Sequence, residues 1–156
     1  MIRPFCMEDT DAVMDIWLSV NKAAHSFIEE SYWTENFQAV EQTFLPRSET
    51  YVFEEDGQVR GFVSILPKWF VGALFVSLES QGKGIGTALL EFCKQRYERL
   101  SLGVFKENAA SVGFYHKCGF DIVLERESDC PPHMEYLMEW VRDGEHRIYP
   151  VHPAQQ

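Results

Sequence analysis

Gln81-Gly82-Lys83-Gly84-Ile85-Gly86, with Thr87 next, stands between an apolar strand candidate, Leu74-Phe75-Val76, and an amphipathic helix candidate that carries Ile85, Ala88, Leu89 and Phe92. Three glycines in five residues take away the Cβ atoms that keep a backbone at a distance from a ligand. The helix that follows leaves its first N–H groups without intrahelical partners. Oriented N–H groups and the positive end of a helix dipole form a cradle for phosphate oxygens. The plainer alternative is a glycine-rich turn that only opens a helix. A Walker loop is excluded, because no Gly, four residues, then Gly-Lys-Ser/Thr run occurs. A dinucleotide fingerprint is excluded too, because Thr87 stands where its third glycine belongs.

Outward from this stretch the chain reads as an alternating domain. Ile2 to Phe5 is a short strand, and Asp9 or Thr10 is placed to cap a helix bearing Val13, Ile16, Trp17 and Val20 at helical spacing. A loop, Ala23 to Ser31, leads to a second helix with Trp33, Phe37, Val40 and Phe44, expected to stop before Pro46. Tyr51–Glu54 and Val59–Leu66 flank Asp56-Gly57 as a hairpin, and Phe70–Val76 adds a third strand that feeds the glycine loop. The helix from Gly84 to about Tyr97 precedes strand Leu100–Phe105 and a short helix, Ala109–Lys117, capped by Asn108 and ended by Gly119. Asp121–Arg126 and Met134–Val141 complete a βααβββαβαββ order, a mixed α/β domain without internal repeats.

Composition narrows the partners. At 156 residues and 46% hydrophobic content the chain has the length of one domain with a substantial core. Its formal charge of −10 argues against nucleic acid and against an anionic membrane surface, both of which select Lys and Arg. Such a body attracts a cationic acceptor such as an amine, although the same charge also serves plain solubility. No run approaches the roughly 18 apolar residues of a membrane span and Met1-Ile2-Arg3-Pro4 lacks an apolar signal core, so a cytoplasmic location is expected. Cysteines at 6, 93, 118 and 130 show no metal-ligand spacing, so no metal site is expected and they read as reduced thiols.

Two motifs carry a family resemblance. Gln81, Gly84 and Gly86 fit Gln/Arg-x-x-Gly-x-Gly/Ala. Asn108-Ala109-Ala110-Ser111-Val112-Gly113-Phe114-Tyr115-His116-Lys117-Cys118-Gly119-Phe120 fits Asn-x-x-Ala-x-x-Phe-Tyr-x-x-x-Gly-Phe, with Val112 after Ser111 as a mild departure. In this order, one strand apart, they resemble the GCN5-related N-acetyltransferase (GNAT) superfamily, and details such as Tyr32-Trp33 and Gly61-Phe62-Val63-Ser64-Ile65 resemble its small bacterial members. The resemblance covers about residues 1–141. It implies a single GNAT-fold domain there; the remainder, 142–156, is polar and proline-containing and reads as a tail.

The same resemblance implies acetyl-CoA as cofactor and direct acetyl transfer to a primary amine in a ternary complex. Backbone groups of Gln81, Gly82, Lys83, Gly84, Ile85, Gly86 and Thr87 would hold the pyrophosphate, and the Lys83 side chain either adds a point charge or is simply exposed. Leu74, Phe75 and Val76 would offer backbone to pantetheine and to the thioester carbonyl, and Asn108 would both cap its helix and contact the cofactor. Tyr115 matches the family tyrosine that protonates the departing thiolate, a role suited to a phenol with a pKa near 10. Some relatives carry a glutamate on the fifth strand that draws the proton from the amine; Gly103 stands there, which leaves the base open. His25, Glu29 and Glu30 border the expected acceptor site, Glu79 precedes the cradle, and Phe27, Trp69 and Phe70 are placed to sandwich an aliphatic amine stem or to serve as core. The acceptor is expected to be a protein lysine or peptide amine, with a polyamine-like or aminoglycoside-like small molecule, or an acyl-CoA sensor without turnover, as alternatives. Monomer and homodimer are equally compatible with the chain.

Overall fold

Arg3 reaches across its own strand to two carboxylates and so ties the N-terminus to the first helix. Its guanidinium donates to Asp9 at 2.8 and 2.9 Å and to Glu54 at 2.6 Å. Asp9 therefore spends its carboxylate on Arg3 and on the Cys6 N–H at 2.9 Å, and it makes no side-chain cap on the following helix, contrary to the sequence expectation. The computed structural model that gives these contacts describes residues 1–143; the expected tail lies outside the described residues from 144 onward. The chain divides into two compact units, Met1–Cys93 and the part from Lys94 on.

In the first unit, β1 (Ile2–Pro4), β2 (Glu49–Glu55), β3 (Gln58–Leu66) and β4 (Phe70–Val76) pair antiparallel in chain order. Asp56 and Gly57 join β2 to β3 with positive φ of 55° and 74°, as the hairpin reading requires. The β3–β4 turn does the same with Lys68 and Trp69, at φ 65° and 51°, although neither is a residue that favours that region. Helix α1 (Thr10–Ala24) lies against β3 and β4 and buries Val13, Met14, Ile16, Trp17 and Val20. Helix α2 (Glu30–Ala39) does not stop ahead of Pro46. It widens into a π-helical turn, Val40–Phe44, and continues as α3 (Leu45–Arg47). Pro46 has no N–H to give to the ladder, and the widened π-helical turn just before it is where the helix departs from the regular α pattern as it runs on through the proline. The α1–α2 seam is aromatic: Trp17 packs edge-on to Trp33 at 5.9 Å and to Phe37 at 6.2 Å.

Helix α4 (Ile85–Arg96) buries Ile85, Leu89, Leu90 and Cys93 and runs past the boundary between the units. In the second unit β7 (Met134–Val141) lies between β5 (Arg99–Phe105) and β6 (Asp121–Glu127), antiparallel to both. On β5, Leu100, Leu102 and Val104 are buried, so Ser101, Gly103 and Phe105 turn to the other face. Helix α5 (Ala109–Lys117) follows β5 directly. The element order is the expected one, with α3 as an extension of the second helix.

Candidate active site

The cradle begins where β4 ends. Val76 is opposite Gly61 in β3, and the Gln81 amide donates to the Val76 carbonyl at 3.1 Å, so the first residue of the cradle is anchored to the last residue of the strand. Gly82 and Gly84 adopt φ of 80° and 87°, a region costly for any side-chain-bearing residue. A Cβ built at either would meet no atom within 4 Å. These glycines are therefore not demanded by crowding inside the protein; the space above them is open. The Ala88 N–H donates to the Gly84 carbonyl at 3.0 Å, which makes Gly84 the cap and leaves the N–H groups of Ile85, Gly86 and Thr87 to be satisfied from outside the helix. No acidic residue lies in the first turn of α4, so nothing there repels an anion, and Lys83 is exposed beside it. An extended phosphate ligand such as the pyrophosphate of coenzyme A fits these residues.

Gly61 fixes the start of α4. A Cβ there would lie 2.9 Å from the Phe75 carbonyl oxygen and 3.2 Å from Ile85 Cγ2. A side chain there would meet the Phe75 carbonyl of the paired strand first, with Ile85 packed against the same spot, so glycine suits this close approach. Nothing in the sequence pattern of β3 distinguishes this glycine from a loss of β propensity. Leu74, Phe75 and Val76 are half-buried, opposite Val63, Phe62 and Gly61, with the Phe62 and Phe75 rings 5.8 Å apart.

In the second unit, Asn108 is buried and accepts the Ser111 N–H on Oδ1 at 3.1 Å, the cap read from sequence. Helix α5 ends in a Schellman motif. The Phe120 N–H donates to the Tyr115 carbonyl and the Gly119 N–H to the His116 carbonyl, both at 3.0 Å, with Gly119 at φ 95°. Phe120, fully buried, meets the Tyr115 ring edge-on at 5.7 Å. Tyr115 is thus held by backbone and ring together. Burial, with the neighbouring Cys118 as a lesser cause, pushes its phenol above the ordinary tyrosine value, so the hydroxyl keeps its proton.

The acceptor-side candidates all lie in the first unit. His25 follows α1, buried, stacked on Trp33 at 5.3 Å and edge-on to Phe27 at 5.6 Å. Burial lowers its pKa, so the ring is neutral near pH 7. Phe27 is half-buried, Glu29 is exposed at the cap position of α2, and Glu30 is exposed with Lys22 at 3.9 Å. Phe70 and Trp69 are half-buried at the start of β4, with Phe70 opposite Leu66, and Glu79 is exposed. Gly103 is exposed on β5, and the carboxylate of Glu135 lies over it, a residue that no sequence motif marks. Among the described residues no group of three or more His, Cys, Asp or Glu side chains is arranged to hold a metal ion. None of their helices is long and apolar enough to cross a membrane.

A glycine cradle at a helix start after an antiparallel meander, followed by a strand, a helix carrying the half-buried Tyr115 and a final antiparallel pair, defines an acyl-CoA-type transferase fold. Residues 11–120 match the model of the Acetyltransferase (GNAT) family. The chain belongs to that family and is an N-acetyltransferase by class. It is 34% identical over 143 residues to the Escherichia coli peptidyl-lysine N-acetyltransferase YiaC, covering 90% of this chain and 96% of YiaC. It is 31% identical over 129 residues to the E. coli peptidyl-lysine N-acetyltransferase YjaB, covering 82% and 86%. The solution structure of apo YjaB superposes with a TM-score of 0.78 at 27% identity, covering 90% of this chain and 97% of that one. The PaiA N-acetyltransferase of Thermoplasma acidophilum, solved in complex with coenzyme A, shares the fold with a TM-score of 0.77 at 19% identity, covering 90% and 98%.

Proposed function

We propose that this protein transfers the acetyl group of acetyl-CoA to the primary amine of a peptide or protein lysine, by direct attack with both substrates bound. The observation that carries the reading is the run from β4 into α4: a carbonyl anchored by Gln81, two glycines with open space above them, and a helix start free of acidic residues. Acetyl-CoA supplies an activated thioester, and the chain supplies its grip. The Gly82–Thr87 backbone binds the pyrophosphate, Lys83 adds positive charge, and the backbone of Leu74, Phe75 and Val76 orients the pantetheine arm. Tyr115 acts as the general acid for the leaving thiolate, a role favoured by a phenol that burial keeps protonated. The lysine acceptor is supported by the activity named for YiaC and YjaB and by a charge of −10, which draws in a cationic substrate.

Thiol release from acetyl-CoA, measured with lysine peptides, peptides with a free N-terminus, polyamines and aminoglycosides, tests the acceptor. Turnover is expected with the lysine peptides at a kcat/KM at least tenfold above the other classes. Preference for a polyamine or aminoglycoside would replace the acceptor, and tight acetyl-CoA binding with no turnover on any class would overturn the enzyme reading in favour of a sensor.

A further inference from the structure

Glycine in the middle of a strand loosens it, and one common reason for keeping it is the close approach of another group. At Gly103 that group is a carboxylate. A Cβ built there would lie 3.1 Å from Glu135 Oε1, 3.2 Å from its Cδ and 3.3 Å from its Oε2. Register places Glu135 opposite Phe105 and Leu137 opposite Gly103, so the Glu135 side chain leans diagonally from its own position to lie over the bare backbone of the glycine. Arg126, opposite Glu135 in β6, holds it there with Nε donating to Oε2 at 2.7 Å. Oε1 receives no hydrogen bond from any described residue. The Glu135 side chain is 21% exposed, against 44% for Arg126, so the cation is on the wetter side of the pair. An ion pair that served only to join β6 to β7 would need neither the glycine nor the lean.

We infer that Glu135, laid over Gly103 and braced by Arg126, is the group that accepts the proton from the acceptor amine. The inference rests on the acetyltransferase reading and adds to it the proton acceptor that the sequence leaves open. Oε1 is free to bind an ammonium group, and the Phe105 ring beside Glu135 in the register offers an apolar wall for a methylene stem. The amine enters as its neutral form after losing one proton to solvent. As its nitrogen forms the C–N bond to the acetyl carbon it becomes strongly acidic, and Glu135 takes the second proton. The C–S bond breaks with its electron pair on sulfur, and the Tyr115 hydroxyl gives that sulfur a proton. Solvent then carries the proton from the Glu135 carboxyl to the Tyr115 phenolate, and both groups are reset.

The test compares wild type, Glu135→Gln, Glu135→Ala and Arg126→Ala on a lysine peptide with acetyl-CoA, after circular dichroism shows each to be folded. Wild-type turnover is the check on the underlying reading: without it that reading fails, whatever Glu135 does. Given wild-type turnover, Glu135→Gln should lower kcat/KM by about 100-fold, within the usual range for losing a general base. Coenzyme A affinity by calorimetry should stay unchanged, while peptide affinity for the coenzyme A complex should weaken. Added formate should restore part of the activity of Glu135→Ala in a concentration-dependent way, which a purely structural ion pair would not permit. The double variant Gly103→Glu with Glu135→Ala, in which the carboxylate is supplied from the strand beneath, should regain activity over Glu135→Ala alone. A Glu135→Gln protein within threefold of wild type, or equal losses in Glu135→Gln and Arg126→Ala with no rescue by formate, would overturn the inference.

Discussion

At the scale of single residues, environment matters more than identity. Tyr115 is recognisable in the sequence from its motif alone, but only the fold shows that the Schellman turn at Gly119 fixes its carbonyl and that Phe120 packs on its ring. Tyr115→Phe should lower kcat by roughly 100-fold or more while leaving coenzyme A affinity within twofold, checked by thiol release and calorimetry. Because burial raises this phenol's pKa, its ionisation should not depress kcat through pH 10, near the ordinary tyrosine value of about 10; an alkaline fall centred well below that would contradict the assignment. Asp9 gives a second prediction, for stability. The Arg3 guanidinium holds its carboxyl down at about 2, below the usual carboxylate range. A depressed folded-state pKa contributes stability that is complete above the unfolded value of about 3.9 and lost as pH falls toward 2. Asp9→Asn should therefore cost on the order of 1–2 kcal/mol at pH 7 and flatten the decline between pH 4 and 2, as read by urea denaturation. Asp9 was legible as a helix cap and is instead an ion-pair partner, because its arginine lies six residues earlier in a strand, where helix-start rules cannot see it.

At the scale of elements, the pieces that local chemistry specifies were legible and the pieces that tertiary contact specifies were not. The Asp56-Gly57 turn, the Asn108 cap and the Gly119 stop depend on one or two residues each, and the structure forms all three. The helical passage through Pro46 and the positive-φ Lys68-Trp69 turn run against the local preferences of those residues, so propensity misses them. Gly61 belongs to the second kind. Gly61→Ala should push Ile85 and the first turn of α4 away from the ladder, with a loss of about 1–3 kcal/mol by thermal denaturation and at least a tenfold weaker coenzyme A affinity. Gly84 separates strain from charge. Gly84→Ala and Gly84→Glu both carry the cost of a positive φ, about 1 kcal/mol or more, yet only Gly84→Glu should abolish coenzyme A binding, since it alone puts a negative charge in the open space where phosphate is proposed to sit. Equal binding by the two variants would remove the pyrophosphate from this loop.

At the scale of the whole molecule, the order of elements along the chain and the two motifs were enough to read the fold class, because the glycine loop and the Asn108–Phe120 segment each demand a particular neighbour on either side. What the order does not encode is which side chains from distant strands meet. Glu135 lies over Gly103 through strand register set by β7, and no spacing within the sequence records it. The acidic surface acts over the same long range: raising ionic strength should raise KM for a cationic peptide. Under the proposed function, this chain moves an acetyl group from acetyl-CoA onto a lysine with Tyr115 as the general acid. Mass spectrometry of a lysine peptide with a blocked N-terminus, incubated with acetyl-CoA and either wild-type or Tyr115→Phe protein, measures it directly. One added acetyl group on the lysine side chain with wild type, and a rate lower by about 100-fold with Tyr115→Phe, is the predicted result. An unmodified peptide alongside protein that binds acetyl-CoA tightly, or equal rates for the two proteins, would contradict it.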